Sequence, residues 1–331
     1  VAAIGLLVVA TIDLWTIERK YWTFSPRAST LYATDPAIEA IKADMAKEGE
    51  FGRVWTEERL GPMVRDPNIV GDALMSHRLR LVGVYHGNAL GPYLDLRGPE
   101  HRESQVTPRP QFWRHENVRY LYTTGDDSAL AQVAKQAGWP APPTRLAGPV
   151  RNAAGNMVYA YRLPGDMHPA WVATAMVKAP PEQALGTVLD PRFDPARVAI
   201  VDTSAKDIQV QPLQGLPEPT TTRAKVTAAT EGSYDIALDQ PARAGSALVV
   251  SENYYPGWHA TVDGKPIPVA RTNFNLIGMA LPEGARTVQL RFTDAAYEKG
   301  KVLTLVALGV SVLILVAGVV VDRRRPAAIA A

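Results

Sequence analysis

VLTLVALGVSVLILVAGVVV, residues Val302 to Val321, contains no charged side chain, and fourteen of its residues are Val, Leu or Ile. As a helix this run is about 30 Å long, the thickness of the hydrocarbon core of a bilayer. Each Val, Leu or Ile favours insertion by roughly 0.3 to 0.6 kcal/mol, which outweighs the Gly, Ser and Thr in the run. The run length predicts a transmembrane helix over 299–322 and not the core helix of a soluble domain. Asp322 follows it, and three arginines, Arg323 to Arg325, then begin a short tail, 323–331. An arginine cluster beside a span marks the cytoplasmic side, so the bulk of the chain is expected outside, periplasmic or extracellular. Arg19, Lys20, Lys299 and Lys301 lie on that outer side and pull weakly the other way.

The other end is also apolar. Val1 to Trp15 reads VAAIGLLVVATIDLW, interrupted only by Thr11 and Asp13. It is shorter than the roughly 20 residues a full crossing takes, and no basic stretch precedes it as in a signal peptide. It is read as a partial transmembrane helix, 1–17, whose beginning lies upstream or was removed. Two apolar ends then staple one folded ectodomain to a membrane, the inner membrane if the cell has two. Asp13 is a candidate functional residue, because an ionisable group in a membrane segment is costly; its place near the outer end equally lets it reach water.

Composition describes the middle. Thirty-five Lys and Arg against 33 Asp and Glu give a net charge of +2, too balanced for a nucleic-acid binder. There is no cysteine, which excludes disulfides, thiolate chemistry and Cys-ligated metal. The 27 prolines and 25 glycines point to many short elements joined by turns.

Two textures follow each other. Over 18–165 the sequence reads as a small α/β domain. Asp35 caps a helix that starts at Pro36, with Ile38, Ile41 and Met45 on one face and Gly49 as the stop. Phe51–Thr56, Asn117–Thr123 and Met157–Leu163 read as strands, Asn68–Leu81 and Ser128–Ala137 as helices, and 138–149 as a loop or hinge. A connecting segment spans 166–200. Over 201–298, short alternating runs recur at the spacing of an antiparallel sandwich: 224–230, 234–238, 247–251, 259–262, 267–270, 276–281 and 287–292. Asp263-Gly264 is a tight-hairpin signal, and Glu283-Gly284 is read as the turn of the last hairpin. The expected fold is therefore α+β: two transmembrane helices flanking an ectodomain made of a small α/β domain and an Ig-like antiparallel β-sandwich.

Leu248 to Val269 reads LVVSENYYPGWHATVDGKPIPV and resembles the C-terminal extracytoplasmic domain of the YfhO family, bacterial membrane proteins on the glycosyltransferase-C plan. Asp13-Leu14-Trp15, Gly83–Leu90, Asn117–Tyr122, Tyr161–Leu163 with Pro169–Val172, and Leu189–Asp194 resemble further family segments in order. The resemblance implies a chain derived from a glycosyltransferase tail. It also implies that the catalytic carboxylate belongs to membrane helices preceding this portion, so no residue here inherits that role.

Other chemistry is weighed residue by residue. Tyr254, Tyr255 and Trp258 surround the Pro256-Gly257 turn and offer broad amphipathic faces for a sugar, a lipid headgroup or a partner; the same residues also suit a sandwich corner with Trp258 in the core. Tyr85 and His86 are further contact candidates, although a loop histidine more commonly bonds locally. None of the six histidines is paired at i,i+3 or i,i+4 spacing, so no metal site is expected. Asp190 and Asp194 each precede proline, as turn-starting residues do. Gly87–Gly91 lacks the Lys-Ser/Thr ending of a phosphate loop, and no nucleophile elbow occurs. With no catalytic residue, cofactor or metal expected, the sequence reads as a non-enzymatic scaffolding subunit of a larger membrane complex, photosynthetic or respiratory for example. The alternative is the acceptor-binding or regulatory part of a lipid-linked-sugar glycosyltransferase. The expected partners are membrane lipids and other subunits, with a glycan or headgroup as ligand.

Overall fold

Local capping sets the first elements of the folded body. In the computed structural model, which describes residues 2–22, 26–49, 51–57, 60–62, 66–83, 90–97 and 108–324, the Asp35 carboxylate accepts from the backbone N–H groups of Ala37 and Ile38 at 2.8 and 2.9 Å. Two short apolar-rich helices, α1 (Ala2–Glu18) and α2 (Ala28–Leu31), come before it. The helix it opens, α3 (Pro36–Glu48), ends on Gly49 in the left-handed region, as glycine at a helix stop permits.

The chain then builds a five-stranded sheet. Its elements are β1 (Arg53–Glu57), α4 (Pro67–Val70), a 3₁₀ turn at Ala73–His77, β2 (Arg80–Val82), α5 (Gly91–Arg97), α6 (Pro110–Glu116), β3 (Val118–Thr123), α7 (Asp127–Ala137), β4 (Thr144–Arg151) and β5 (Met157–Arg162). The strand order is β2-β1-β3-β5-β4. β1 runs parallel to both β2 and β3, and β3, β5 and β4 are antiparallel. Both faces are buried. Ile38 and Ile41 of α3 pack on Val54, Tyr120, Tyr122 and Val158. On the opposite face Trp55, Leu121 and Tyr161 meet Phe112, Trp113 and Leu130 of α6 and α7. The expected helix over 68–81 is shorter than its pattern: after the 3₁₀ turn the chain leaves as β2. The proline-rich 138–149 region holds the start of β4 and is not wholly a loop, since an edge strand tolerates Pro149.

The remaining strands form a two-sheet sandwich. They are β6 (Ala170–Ala173), β7 (Ala175–Ala179), β8 (Val198–Asp202), β9 (Ala224–Thr230), β10 (Ser233–Leu238), β11 (Ala247–Asn253), β12 (Trp258–Val262), β13 (Lys265–Ile267), β14 (Ala270–Thr272), β15 (Leu276–Ala280) and β16 (Thr287–Phe292), with α8 (Pro181–Val188) between β7 and β8. One sheet has the order β6-β11-β15-β14-β8-β7, the other β13-β12-β16-β10-β9. Their inner faces share Val172, Tyr234, Ile236, Leu248, Val250, Ile277, Val288 and Leu290. Residues 166–200, read as a connection, contribute β6, β7 and the start of β8, so the sandwich begins earlier than the alternation alone indicates. The six-stranded sheet includes a parallel pair, β7 with β8, joined by the α8 crossover, which an Ig-like, wholly antiparallel sandwich does not have. The run 267–270 divides between β13 and β14, which lie in different sheets, with Pro268 between them. Asp263 and Gly264 both take positive φ, 47° and 80°, and close a two-residue hairpin between Val262 and Lys265. Gly284 also has positive φ, but the turn it serves carries the chain from one sheet to the other and closes no hairpin.

The last element is α9 (Ala295–Arg324). Asp294 caps it, accepting from Ala296 and Tyr297 at 2.8 and 2.9 Å. The stretch Ala295–Val321 is the one described helix long and apolar enough to cross a membrane, and none of it is buried. Of the two expected transmembrane helices, this one is long and apolar enough to cross a membrane; the partial one expected over 1–17 is helical at Ala2–Glu18, with those residues exposed.

Candidate functional site

Arg53 is the first residue of β1, an inward position in a strand that is otherwise mostly buried. Its guanidinium leaves the α/β domain and enters the sandwich. One Nη donates to the Glu116 carbonyl at 2.6 Å and to Ser251 Oγ at 3.0 Å, and the other donates to the Ser251 carbonyl at 2.9 Å. Ser251 Oγ in turn donates to the His115 carbonyl at 3.0 Å. Beside it, Asn275 Nδ2 donates to Glu116 Oε1 and Asn253 Oδ1, both at 2.9 Å, and its Oδ1 sits 2.7 Å from His115 Nε2. The C-terminus of α6 is thus bonded to β11 and to the start of β15 through side chains that are buried on both sides.

Electrostatics hold this seam charged. Burial opposes the Arg53 charge, but Glu252 at 3.5 Å and Glu116 at 3.9 Å outweigh it and keep its pKa above the ordinary arginine value. His115 goes the other way: burial lowers its pKa despite the carboxylate of Glu116 3.6 Å away. Outside Arg53 lies a second layer. Arg80 donates to the Tyr234 hydroxyl at 2.6 Å, and that hydroxyl donates to Glu252 Oε2 at 2.6 Å. The Arg80 guanidinium also lies 4.2 Å from the centre of the Phe51 ring, a cation–π contact. Burial, and then the Glu252 charge, push the Tyr234 phenol up, so it remains a neutral donor.

This second layer is the floor of an open cleft of about 1260 Å³ between the α/β domain and the β10–β12–β16 sheet, whose walls include Arg78, Tyr93, Glu231, Tyr255, Trp258 and Phe292. A neighbouring cleft of about 990 Å³ runs along β12 and β13 past Tyr254, Asp202 and Arg271. Asn253, Tyr255 and Trp258 border both.

The residues singled out in the sequence separate here. Trp258 packs against Phe292 and Tyr234, at 5.4 and 6.0 Å between ring centres, so it serves the core edge and lines the clefts. The Tyr254 amide is held by the Asn275 carbonyl at 2.7 Å, and Tyr255 stands 46% exposed. Tyr85 and His86 lie outside the described residues; Gly83 and Leu90, on either side of that stretch, border the larger cleft. Asp13 lies on α1, exposed and remote in sequence from this site. Asp190 is held down to about 2 by the Arg192 guanidinium and amide, and Asp194 pairs with Arg197 at 3.3 Å. Each is taken by its own local arginine in a turn. Among the described residues no group of His, Asp or Glu is placed to hold a metal ion.

The sequence reading missed Arg53, Arg80, Glu116, Tyr234 and Asn275, because they come from five separate elements or turns. One signal was present: a charged residue at a core-facing position of FGRVWTE needs a buried partner.

The β-sandwich leads straight into an emergent helix that is long and apolar enough to cross a membrane. Residues 211–304 match the family described as Bacterial membrane protein YfhO, consistent with a C-terminal segment of that family. The matched stretch runs from before β9 into α9, and it contains Tyr254 to Trp258 and all of the five-stranded sandwich sheet. No curated protein and no solved structure matches the chain.

Proposed function

We propose that this chain is a membrane-anchored, non-enzymatic ectodomain that acts as an accessory or scaffolding part of a larger membrane assembly. The carrying observation is α9. Its apolar surface is wholly uncovered, and only Thr293 and Asp294 separate it from β16. A helix of this kind needs lipid or other helices around it, and so short a link keeps the sandwich close to the bilayer. The seam supports the same reading, because its charged groups are spent on one another and join two domains. The arginines after Val321 support a cytoplasmic tail and an outer body.

Purification of the native protein in mild detergent, followed by mass spectrometry, tests this. A membrane-protein partner at fixed stoichiometry is expected; a monomer running alone contradicts it. Orientation is read in the cysteine-free chain by labelling Lys206→Cys, an exposed position, with an impermeant maleimide in intact cells. Labelling is expected, and protection reverses the assigned orientation.

A second reading is favoured by the match over 211–304 together with the amphipathic cleft. It makes the chain the acceptor-binding or regulatory part of a lipid-linked-sugar glycosyltransferase. A reading frame continuing upstream of Val1 into about a dozen further helices, as in the glycosyltransferase-C plan the sequence resembles, would favour it over the accessory subunit.

A further inference from the structure

Each apolar helix carries a polar mark on one side. Between Val302 and Val321 of α9, only Thr304 and Ser311 have side chains that hydrogen-bond. They stand seven residues apart, two turns of helix, and so share a face. Gly300, Ala307 and Gly318 fall on that face by the same spacing, whereas Val302, Leu305, Leu313, Val316 and Val320 lie opposite. In α1, Asp13 is the one ionisable residue from Ala2 to Ile17. Its carboxylate has no ion pair and no hydrogen bond among the described residues. Neither apolar run is covered by the rest of the chain.

The two marks meet at one depth. A chain that leaves lipid after α1 and re-enters it with α9 sets the helices antiparallel. Glu18 and Lys301 are the charges that bound the two apolar runs, and they then mark one level. Asp13 lies about 7.5 Å deeper than Glu18, level with Val306. Thr304 is about 3 Å above that level. Its hydroxyl donates to the Gly300 carbonyl of its own helix at 2.8 Å and can turn toward a carboxylate instead. The long side chain of Lys301 flanks the same face, and its contact with Glu298 is loose, at 4.0 Å. One anion on α1 is thus matched by one cation beside this face of α9. By the same count Ala10 comes level with Gly309, next to Ser311 on the marked face, and Ala2 comes beside Gly318. An acidic side chain turned to lipid is costly, while small residues let helices approach and polar ones bond across the gap.

We propose that α1 packs antiparallel against the Thr304–Ser311 face of α9 within the bilayer, with Asp13 bonded to Thr304 and its charge offset by Lys301. This rests on the membrane anchoring argued above. The occupant of the small-residue face is then a segment of the same chain, and the Val and Leu side of α9 is left to lipid. The pair also brings together the two places where the ectodomain meets the membrane. The body is held at two points and does not swivel about the short link to α9.

The chain has no cysteine, so introduced pairs read the packing directly. Cysteine pairs in the full chain are oxidised in native membranes, and bridged peptides are identified by mass spectrometry. Ala10→Cys with Ser311→Cys is expected to form an intrachain disulfide, which needs Cβ atoms about 3.5 to 4.5 Å apart. Ala10→Cys with Gly309→Cys, at the same level but on the far side of α9, is expected to stay reduced. Asp13→Leu added to the first pair is expected to lower the bridged fraction about threefold, the size of one interhelical hydrogen bond in a membrane. No bridge in the first pair, or equal bridging in both, overturns the packing. Bridges only between chains also overturn it, because the occupant is then a second copy. Bridging unaffected by Asp13→Leu overturns the Asp13 contact. A carbonate wash of the same membranes keeps the failures apart: a retained chain without a bridge refutes the helix pair alone, and a released chain refutes the anchoring beneath it.

Discussion

The guanidinium of Arg53 donates to the backbone carbonyl of Ser251 at 2.9 Å, and so the first residue of a strand in one domain is bonded to the main chain of a strand in the other. The two residues are 198 positions apart. The contact makes the α/β domain and the sandwich one mechanical unit, since neither can turn without stripping a buried cation of its acceptors.

Removal of that cation is the first consequence. Arg53→Ala leaves Glu116 buried without its countercharge and leaves the Ser251 carbonyl without its side-chain donor. Breaking one side of a buried pair costs about 3 to 5 kcal/mol, so the melting temperature of the full chain in detergent is expected to fall by several degrees. Arg53→Lys keeps the charge, loses the fork and is expected to fall between. A change of Arg53→Ala within experimental error would show that the seam does not hold the domains.

Gly257 offers a second, local test. Its φ is +122°, and a Cβ there would come 2.5 Å from the Thr293 carbonyl and 2.9 Å from the Phe292 ring. Gly257→Ala therefore combines a disfavoured backbone with a clash at the link to α9, a strain of about 1 to 3 kcal/mol. Hydrogen exchange is expected to rise at Thr293, whose amide bonds to Gly257, with strands of the distant β1–β5 sheet unaffected. Unchanged exchange at Thr293 would separate the turn from the link.

Acid is expected to weaken the seam through His115. Burial depresses its folded pKa below the unfolded value of about 6.5, so the unfolded chain binds the extra proton first. Its favourable share of stability is fully present above about pH 6.5 and is lost as pH falls through the lowered folded pKa. His77, also lowered, chiefly by burial, acts in the same direction. Denaturant midpoints measured between pH 7.5 and 5 are expected to decline, and His115→Gln to flatten that slope. A slope unaltered by His115→Gln would remove His115 as its source.

Much of this architecture was legible from local chemistry. The Asp35 cap, the Gly49 stop and the Asp263-Gly264 hairpin depend on neighbours within a few residues, and each stands where the pattern placed it. β4 was harder, because Gly148 and Pro149 look like a loop while an edge strand accepts both. β6 to β8 hid in a stretch without clear alternation, since both faces of their sheet are covered: Val172 lies in the inter-sheet core, and Ala173, Ala199 and Val201 pack on the outside. Of the candidate site, the Tyr254–Trp258 turn could be seen as an aromatic cluster. Its relation to Arg53, Arg80 and Glu116 could not, because those residues meet only through the packing of one domain on another.

Membrane retention of the intact chain tests the central claim most directly. Vesicles carrying the protein are washed with alkaline sodium carbonate and sedimented. The apolar, uncovered surface of α9 requires the chain to remain with the lipid pellet; its release into the supernatant as an intact polypeptide would contradict the account.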